Sequence, residues 1–275
     1  MKLVKGSGKV PVIYTAHHAS HDFHKFDSRV ALSEEQKIRF SDYGTDLTVP
    51  TNGLASIIAE HSRALGDLNR DPNDPGRFQT QDYGQPIRHD IWRAGKELTE
   101  AEKTDCQTTF HQPFHDEIIS QLTARRGPTF VVAWDNTAHY RIGDYLTGKH
   151  EMMRPFILSN RGSEESGEAG SNEPVSCDPA LLELLAEKFR VELRQRGLPD
   201  EVHLNFVVKG GYVCRRYSTL CNAEELHALG VTADIQSLQL EYDTAITHDQ
   251  ITLEPYPDKI IALREAFNAA ITQCL

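Results

Sequence analysis

"TFVVAWDNTAHY" (residues 129–140) is the most informative segment of the chain. It is apolar and β-branched from Phe130 to Trp134, becomes polar at Asp135, and reaches His139 four residues later. A short apolar run rich in β-branched residues predicts a buried strand. An acid and an imidazole at the end of such a strand indicate a functional site rather than packing.

Strands and helices alternate on both sides of this segment. We predict strands at 10–16, 129–135, 203–208 and 237–243. We predict helices at 32–40, 53–65, 98–126 with a break or kink at Pro113, 177–197 and 257–275. This alternation predicts one α/β domain over residues 1–275, with a mixed, mostly parallel sheet and helices on both faces.

The composition excludes several classes of partner. The chain has 275 residues with 40 acidic and 29 basic side chains, a formal charge of −11, and no basic stripe, so we expect no nucleic-acid partner. Five cysteines without a CxxC pair argue against a disulfide framework. No signal peptide or membrane-length apolar run is evident, so we expect a cytoplasmic protein without a membrane partner. The oligomeric state stays open between a monomer and a small homo-oligomer.

Polar residues collect where the predicted strands end. Ligands of open α/β sheets bind at the carboxyl ends of the strands. The residues at these ends are His17 and His18, Asp135 and His139, Lys209 with Gly210 and Gly211, and Glu241 late in the last strand. The sequence therefore predicts one site along this edge.

Histidine is concentrated just after the first predicted strand. "HHASHDFH" (17–24) holds four imidazoles in eight residues, and zinc binds imidazole nitrogen and carboxylate oxygen. We therefore predict a metal site, although this segment alone does not fix which histidine binds. His111 and His115 flank Pro113, and we expect a structural or supporting role for this second pair.

Two segments are suited to an anionic small-molecule substrate. In "LGDLNRDP" (65–72), Asn69 and Arg70 offer an amide beside a guanidinium, which suits a carboxylate, although a surface ion pair is the ordinary alternative. In "VKGGYVCRRYS" (208–218), Gly210 and Gly211 allow close backbone approach, with Lys209 and Arg215 beside them.

Glu241 lies among apolar neighbours in "LQLEYD" (238–243). A carboxylate there is costly to bury unless it is paired or functional, and desolvation raises its pKa toward that of a general base. A structural salt bridge is the alternative. Strand alternation places Gln239 and Glu241 on one face, away from Leu238 and Leu240.

Taken together and in order, these motifs resemble the N-formylglutamate amidohydrolase family over most of the chain. The matching segments are "AHHAS", "SDYG", "DLNRDP", "PFH", "SCDPAL", "KGGY-x-x-R-x-Y" and "QLE". The resemblance implies that His18 is a metal ligand and that Asp42, before Asp46, is the acidic ligand. It also implies a fold like that of zinc-dependent carboxypeptidases and aspartoacylases.

The same resemblance implies an activity. In this family two histidines and an acid bind zinc, an Asn–Arg pair holds the substrate carboxylate, and a late Glu activates water. We therefore expect a zinc-dependent hydrolase that cleaves the N-formyl or small N-acyl amide of an acidic amino acid such as N-formylglutamate. Iron or manganese could replace zinc, another N-acyl compound could be the substrate, and a catalytically silent binding protein is the alternative from another class.

One departure from the family pattern concerns the segment at 129–140. The family strand typically ends Trp-Asp-x-His-Ser, but this chain has Thr137 in place of the histidine. We favour His139 as the metal ligand through an altered loop, with Asp135 orienting it. The alternatives are that Asp135 itself binds the metal, or that the site has degenerated. His17, Asp46 and His115 are further supporting or alternative ligands.

Overall fold

The computed structural model describes residues 1–4, 10–51, 54–82, 89–137, 141–143, 150–170 and 173–275. The strands in these ranges are β1 (Lys2–Val4), β2 (Val12–Ala16), β3 (Ala55–Ile58), β4 (Gln81–Asp82), β5 (His89–Asp90), β6 (Thr129–Thr137), β7 (Arg141–Gly143), β8 (His150–Met152), β9 (Phe156–Ser159), β10 (Val202–Leu204) and β11 (Ile235–Asp243). The α-helices are α1 (Glu34–Phe40), α2 (Thr45–Thr48), α3 (Glu100–Cys106), α4 (Gln112–Thr123), α5 (Pro179–Gln195), α6 (Tyr212–Arg216), α7 (Thr219–Ala228) and α8 (Pro257–Thr272).

Seven of the strands form one mixed sheet in the order β1-β3-β2-β6-β11-β9-β10. The four strands β3, β2, β6 and β11 run parallel, whereas β1 is antiparallel to β3 and β9 is antiparallel to β11. Strand β10 is parallel to β9. The predicted mixed, mostly parallel α/β sheet is therefore confirmed.

Helices cover both faces of the sheet. On one face, Tyr14, Trp134 and Leu240 pack with residues of α5 and α8. On the other face, Val131 and Ala133 pack with residues of α4, α6 and α7. The strict alternation of the parallel strands produces this division, since successive side chains point to opposite faces.

Most of the predicted elements are confirmed. The helix at 32–40 begins at Glu34, with Ser33 and Gln36 forming a capping box. The helix at 177–197 is α5, and its N-cap Asp178 accepts a hydrogen bond from the Leu181 amide. The helical stretch at 98–126 is present as α3 and α4, joined by a π turn at Gln107–His111 that lies just before Pro113.

One element prediction is wrong and another is too long. Residues 53–65 were expected to form an amphipathic helix, but Ala55–Ile58 form the buried strand β3, followed by a 3₁₀ turn at Arg63–Leu65. A short apolar run fits both patterns, and pairing with β2 decides for the strand. The strand expected at 203–208 ends at Leu204, and Val207 adopts a left-handed φ of 60°.

Among the described residues, every helix is too short or too polar to cross a bilayer.

Candidate active site

The parallel strands bring the predicted site residues to one edge of the sheet. His17 and His18 follow β2 directly, and Asp135 lies near the carboxyl end of β6. Glu241 of β11 is aligned with Asp135 in the strand register. Asp135 and Glu241 share the sheet face of Ala133, which α4, α6 and α7 cover. Parallel pairing thus positions both carboxylates beside the two imidazoles.

His18 is surrounded by three carboxylates. Its Nε2 lies 2.7 Å from Asp67 Oδ1, and its Nδ1 lies 3.2 Å from Asp42 Oδ2 and 3.7 Å from Asp135 Oδ1. Burial and a nearby guanidinium lower the pKa of His18, but Asp67 and Asp42 outweigh them and raise it above its ordinary value. The carboxylates therefore fix the orientation of the imidazole from both sides.

Asp67 is a site residue that the sequence did not reveal. It is fully buried and accepts hydrogen bonds from Arg63 Nη2 at 2.9 Å, from Gln79 Nε2 at 3.1 Å and from the Asn69 amide at 2.9 Å. Burial alone would raise its pKa, but His18 and Arg63 hold the pKa of this carboxyl well below its usual range. The only sequence signal is an acid within the apolar run "ALGDL" (64–68), directly before Asn69.

His17 and Asp135 are close to each other but do not form a hydrogen bond. His17 Nε2 lies 2.8 Å from Asp135 Oδ2, and both side chains are almost completely buried. The two groups are not aligned as donor and acceptor, so among the described residues neither ring nitrogen of His17 has a hydrogen-bond partner, and neither has Asp135 Oδ1. Buried polar atoms without partners are uncommon, which indicates that a further group belongs between them.

His17, His18 and Asp135 could hold a metal ion. One ligand atom from each lies within 4.8 Å of the other two. Burial, together with the negative charges of Asp42 and Glu241, raises the pKa of Asp135 well above its ordinary value. Burial and the neighbouring His18 hold the pKa of His17 well below its ordinary value, so this ring is neutral at pH 7. A neutral imidazole beside mutually repelling carboxylates is a donor set that suits a divalent cation.

Glu241 is buried and held by two donors. Thr137 Oγ1 donates to Glu241 Oε1, and Gln239 Nε2 donates to Glu241 Oε2 at 2.7 Å. Burial, and then the nearby charge of Asp42, raise the pKa of Glu241 to about 7. Such a carboxyl can exchange a proton near neutral pH, which is the property of a general base. The side chain of Thr137 thus supports Glu241, at the position where the resembling family has a histidine.

Asn69 and Arg70 lie beside this carboxylate centre. Asn69 Oδ1 accepts a hydrogen bond from the Val213 amide at 2.9 Å. The Nδ2 group remains as the hydrogen-bond donor of this side chain. Arg70 is partly exposed, with its guanidinium 3.4 Å from Asp67 and 3.2 Å from Asp74. The structure therefore brings the predicted amide–guanidinium pair to the site.

The two predicted cations on the glycine-rich segment are directed outward. Lys209 is exposed, and Arg215 is half-exposed and forms an ion pair with Asp71 at 2.8 Å. Gly210 has a left-handed φ of 93°, and Gly211 is in close contact with Asn69, so the two glycines border the site. Gly211 has no room for a Cβ, which would lie 2.3 Å from Asn69 Nδ2.

The remaining predicted residues are Asp46, His115 and His139. Asp46 lines a neighbouring cavity of about 580 Å³ together with Ser20 and Gly44. His115 is buried on α4, where its Nδ1 lies 2.6 Å from the hydroxyl of Tyr217. His139, the predicted second metal histidine, lies outside the described residues.

The fold and the site together define an α/β protein with a buried imidazole–carboxylate centre at the carboxyl ends of parallel strands. A model of the N-formylglutamate amidohydrolase family matches residues 10–234. The chain therefore belongs to the N-formylglutamate amidohydrolase family, and is a hydrolase that acts on amides.

Solved structures agree with this assignment at the level of the fold. N-formylglutamate amidohydrolase from Ralstonia eutropha JMP134 superposes with a TM-score of 0.66 at 18% identity, over 99% of this chain and 96% of that one. The gene product Atu2144 from Agrobacterium tumefaciens superposes with a TM-score of 0.60 at 17% identity, over 98% and 95%. No curated protein sequence matches the chain.

Proposed function

We propose that this protein is a metal-dependent deformylase that hydrolyses the N-formyl amide of an acidic amino acid such as N-formylglutamate. The products are formate and the free amino acid. The observation that carries the proposal is the position of Glu241, a buried carboxyl aligned with Asp135 beside the two imidazoles, where burial raises its pKa to about 7. Family membership supports the amide as the bond that is cleaved.

We propose zinc as the metal, bound by His17, His18 and Asp135, with Asp42 beside them. Support comes from the mutual approach of the three ligand atoms and from the His17 ring nitrogens, which have no hydrogen-bond partner in the part of the chain that the structure describes. The set predicted from the sequence is the alternative: His18 and Asp42, which the resemblance implies, with His139 through an altered loop. A bound divalent ion supplies Lewis acidity and lowers the pKa of adjacent water.

The reaction needs a base, and Glu241 is suited to that role. The carboxylate takes a proton from the attacking water and later passes it to the leaving amine, so it ends each cycle as it began. Gln239 and Thr137 donate to both oxygens of Glu241 and so hold its orientation. The C–N bond breaks as the amine accepts the proton.

Substrate recognition is assigned to Asn69 and Arg70. The Val213 amide occupies Asn69 Oδ1, which fixes the amide and presents its Nδ2 donor. A guanidinium beside an amide donor suits the substrate carboxylate. Lys209 and Arg215 lie farther out and could attract a second anionic group, with Gly210 and Gly211 allowing its approach.

Chelation and metal return test the proposal. The purified protein is treated exhaustively with a chelator, assayed for formate release from N-formyl-L-glutamate, and assayed again after zinc is added. Activity should disappear and then return. N-acetyl-L-glutamate and N-formyl-L-leucine in parallel test the acyl group and the acidic side chain. Full activity after complete metal removal would contradict the proposal, and so would zinc-loaded protein that hydrolyses no N-acyl amino acid.

A further inference from the structure

The side-chain amide of Gln239 is buried between the carboxylates and the glycine-rich segment. It is 4% exposed. Its Oε1 accepts a hydrogen bond from the Gly211 amide at 3.1 Å, and its Nε2 lies 2.7 Å from Glu241 Oε2 and 3.1 Å from Asp135 Oδ2. Because a backbone N–H can only donate, the Gly211 amide fixes which end of the Gln239 side-chain amide is oxygen.

The other side of Gly211 contacts Asn69. The Tyr212 amide donates to the carbonyl of Asn69 at 3.1 Å, and the Val213 amide donates to Asn69 Oδ1 at 2.9 Å. Gly211 itself lies against the Asn69 side chain and donates its amide to Gln239, so it is in contact with both residues. The side chain of Gln239 and the backbone at Gly211 therefore connect Glu241 to Asn69, one of the two proposed substrate-binding residues.

We propose that Gln239 is a positioning residue that sets the general base Glu241 and Asp135 at a fixed distance from the substrate-binding segment at Gly211 and Asn69. The inference rests on the proposed function, because it takes Glu241 as the base and Asn69 as a substrate-binding residue. The Nε2 group of Gln239 donates to the carboxylates of Glu241 and Asp135. Its Oε1 accepts from the backbone amide of Gly211, which is in contact with Asn69. A small shift of a reacting group is costly, since about 1 Å can lower a rate roughly 10²-fold.

Two substitutions of Gln239 distinguish the role of its Nε2 donor from that of its Oε1 acceptor. Gln239→Met has a similar volume and removes all three hydrogen bonds, so we expect a lower kcat and a higher KM. Gln239→Glu keeps an acceptor for the Gly211 amide but replaces the donor group, so we expect a lower kcat with little change in KM. The expected fall in kcat is about 10- to 100-fold in both variants, the usual range for residues that orient catalytic groups.

Gln236→Glu is the matched control. Gln236 lies on the same strand, but its Oε1 accepts from the Asp178 amide at 2.8 Å, at the start of α5 and away from the site. This variant should keep wild-type kcat and KM. Thermal melting on each preparation reports whether the variants fold.

Zinc affinity, measured by competition with a fluorescent chelator, supplies a readout that needs no turnover. Gln239→Met should bind zinc about 10- to 100-fold more weakly, because Asp135 loses a donor that orients it. If the wild type releases no formate while this variant still loses zinc affinity, the proposed function is contradicted and the role of Gln239 at Asp135 is supported. Variants with a lower melting temperature but wild-type kcat, KM and zinc affinity would overturn the inference.

Discussion

His18 Nε2 lies 2.7 Å from Asp67 Oδ1, and both side chains are buried at the centre of the site. The low pKa of Asp67 keeps it ionised, so it accepts the proton of Nε2. The other ring nitrogen, Nδ1, faces Asp42 and Asp135 and is the nitrogen that would bind a metal ion in place of its proton. Carboxylates in this arrangement commonly orient metal-binding histidines and set their tautomer.

Asp67→Asn should therefore weaken zinc binding. The amide can still contact His18, but it lacks the charge that holds the Nε2 proton, so we expect zinc affinity to fall about 10- to 100-fold. Chelator competition measures the affinity, and far-ultraviolet circular dichroism checks the fold. A folded variant with wild-type zinc affinity would show that Asp67 does not control His18.

The metal ligands can be assigned by comparing four variants. We expect His17→Ala, His18→Ala and Asp135→Asn each to lose at least about tenfold in zinc affinity, because each removes a ligand from an open three-ligand site. His139→Ala should retain zinc if His17, His18 and Asp135 are the complete set of protein ligands. Loss of zinc in His139→Ala, with affinity retained in His17→Ala, would favour the set His18, Asp42 and His139 instead.

Arg70→Ala should raise KM for N-formyl-L-glutamate more than it lowers kcat. Breaking one charged pair costs about 2–5 kcal/mol when the pair is buried. Because Arg70 is about one-third exposed, we expect the lower end, about 2 kcal/mol or roughly 30-fold in KM. A substrate amidated at its α-carboxylate should be poor for the wild type and no worse for the variant. Equal kinetics with the acid and the amide would contradict the assignment.

The buried imidazole of His61 should make the protein sensitive to acid. This ring is 3% exposed and stacks on Phe110 with centroids 4.5 Å apart, and burial lowers its pKa to about 3. Between about pH 6.5 and pH 3 the unfolded chain binds a proton at His61 that the folded chain does not, so stability falls as the pH falls. Above pH 6.5 both states are neutral at this position and the effect disappears.

His61→Gln should flatten this dependence by up to about 1.4 kcal/mol per pH unit, the value for one proton. Urea unfolding at pH 7.5, 6.0 and 5.0 measures the free energy of unfolding of both proteins. Other buried histidines such as His115 act in the same direction, so some dependence should remain. An identical slope in both proteins would mean that His61 is not buried in its neutral form.

Local patterns predicted the fold well where one signal dominated. The apolar run from Phe130 to Trp134 and the proline-started helix α5 are each specified by their own residues. Residues 55–58 were misassigned because four residues carry too little periodicity to separate a strand from a helix. Pairing with β2, a contact between segments far apart in sequence, decides the outcome there.

The site could be predicted only in part, for a related reason. His18, Asp135 and Glu241 are recognisable as polar residues near strand ends, whereas Asp42 followed only from the family resemblance; the structure brings the four together. Asp67 and Gln239 act through partners that lie far away in the chain, His18 in one case and Asp135 in the other. Strand alternation places Gln239 on the face of Glu241, but no local pattern shows that Gln239 or Asp67 contacts these partners, so three-dimensional contacts were needed to find their roles.

The most direct test of the account is the rate of formate release from N-formyl-L-glutamate by zinc-loaded wild type and Glu241→Gln. The amide is nearly isosteric with the acid but cannot take a proton from water, so the variant should fold, bind zinc and melt like the wild type. Its kcat should fall by about 10²–10⁴-fold, the typical loss for a general base. A stable, zinc-loaded Glu241→Gln protein that releases formate at the wild-type rate would show that Glu241 is not the base.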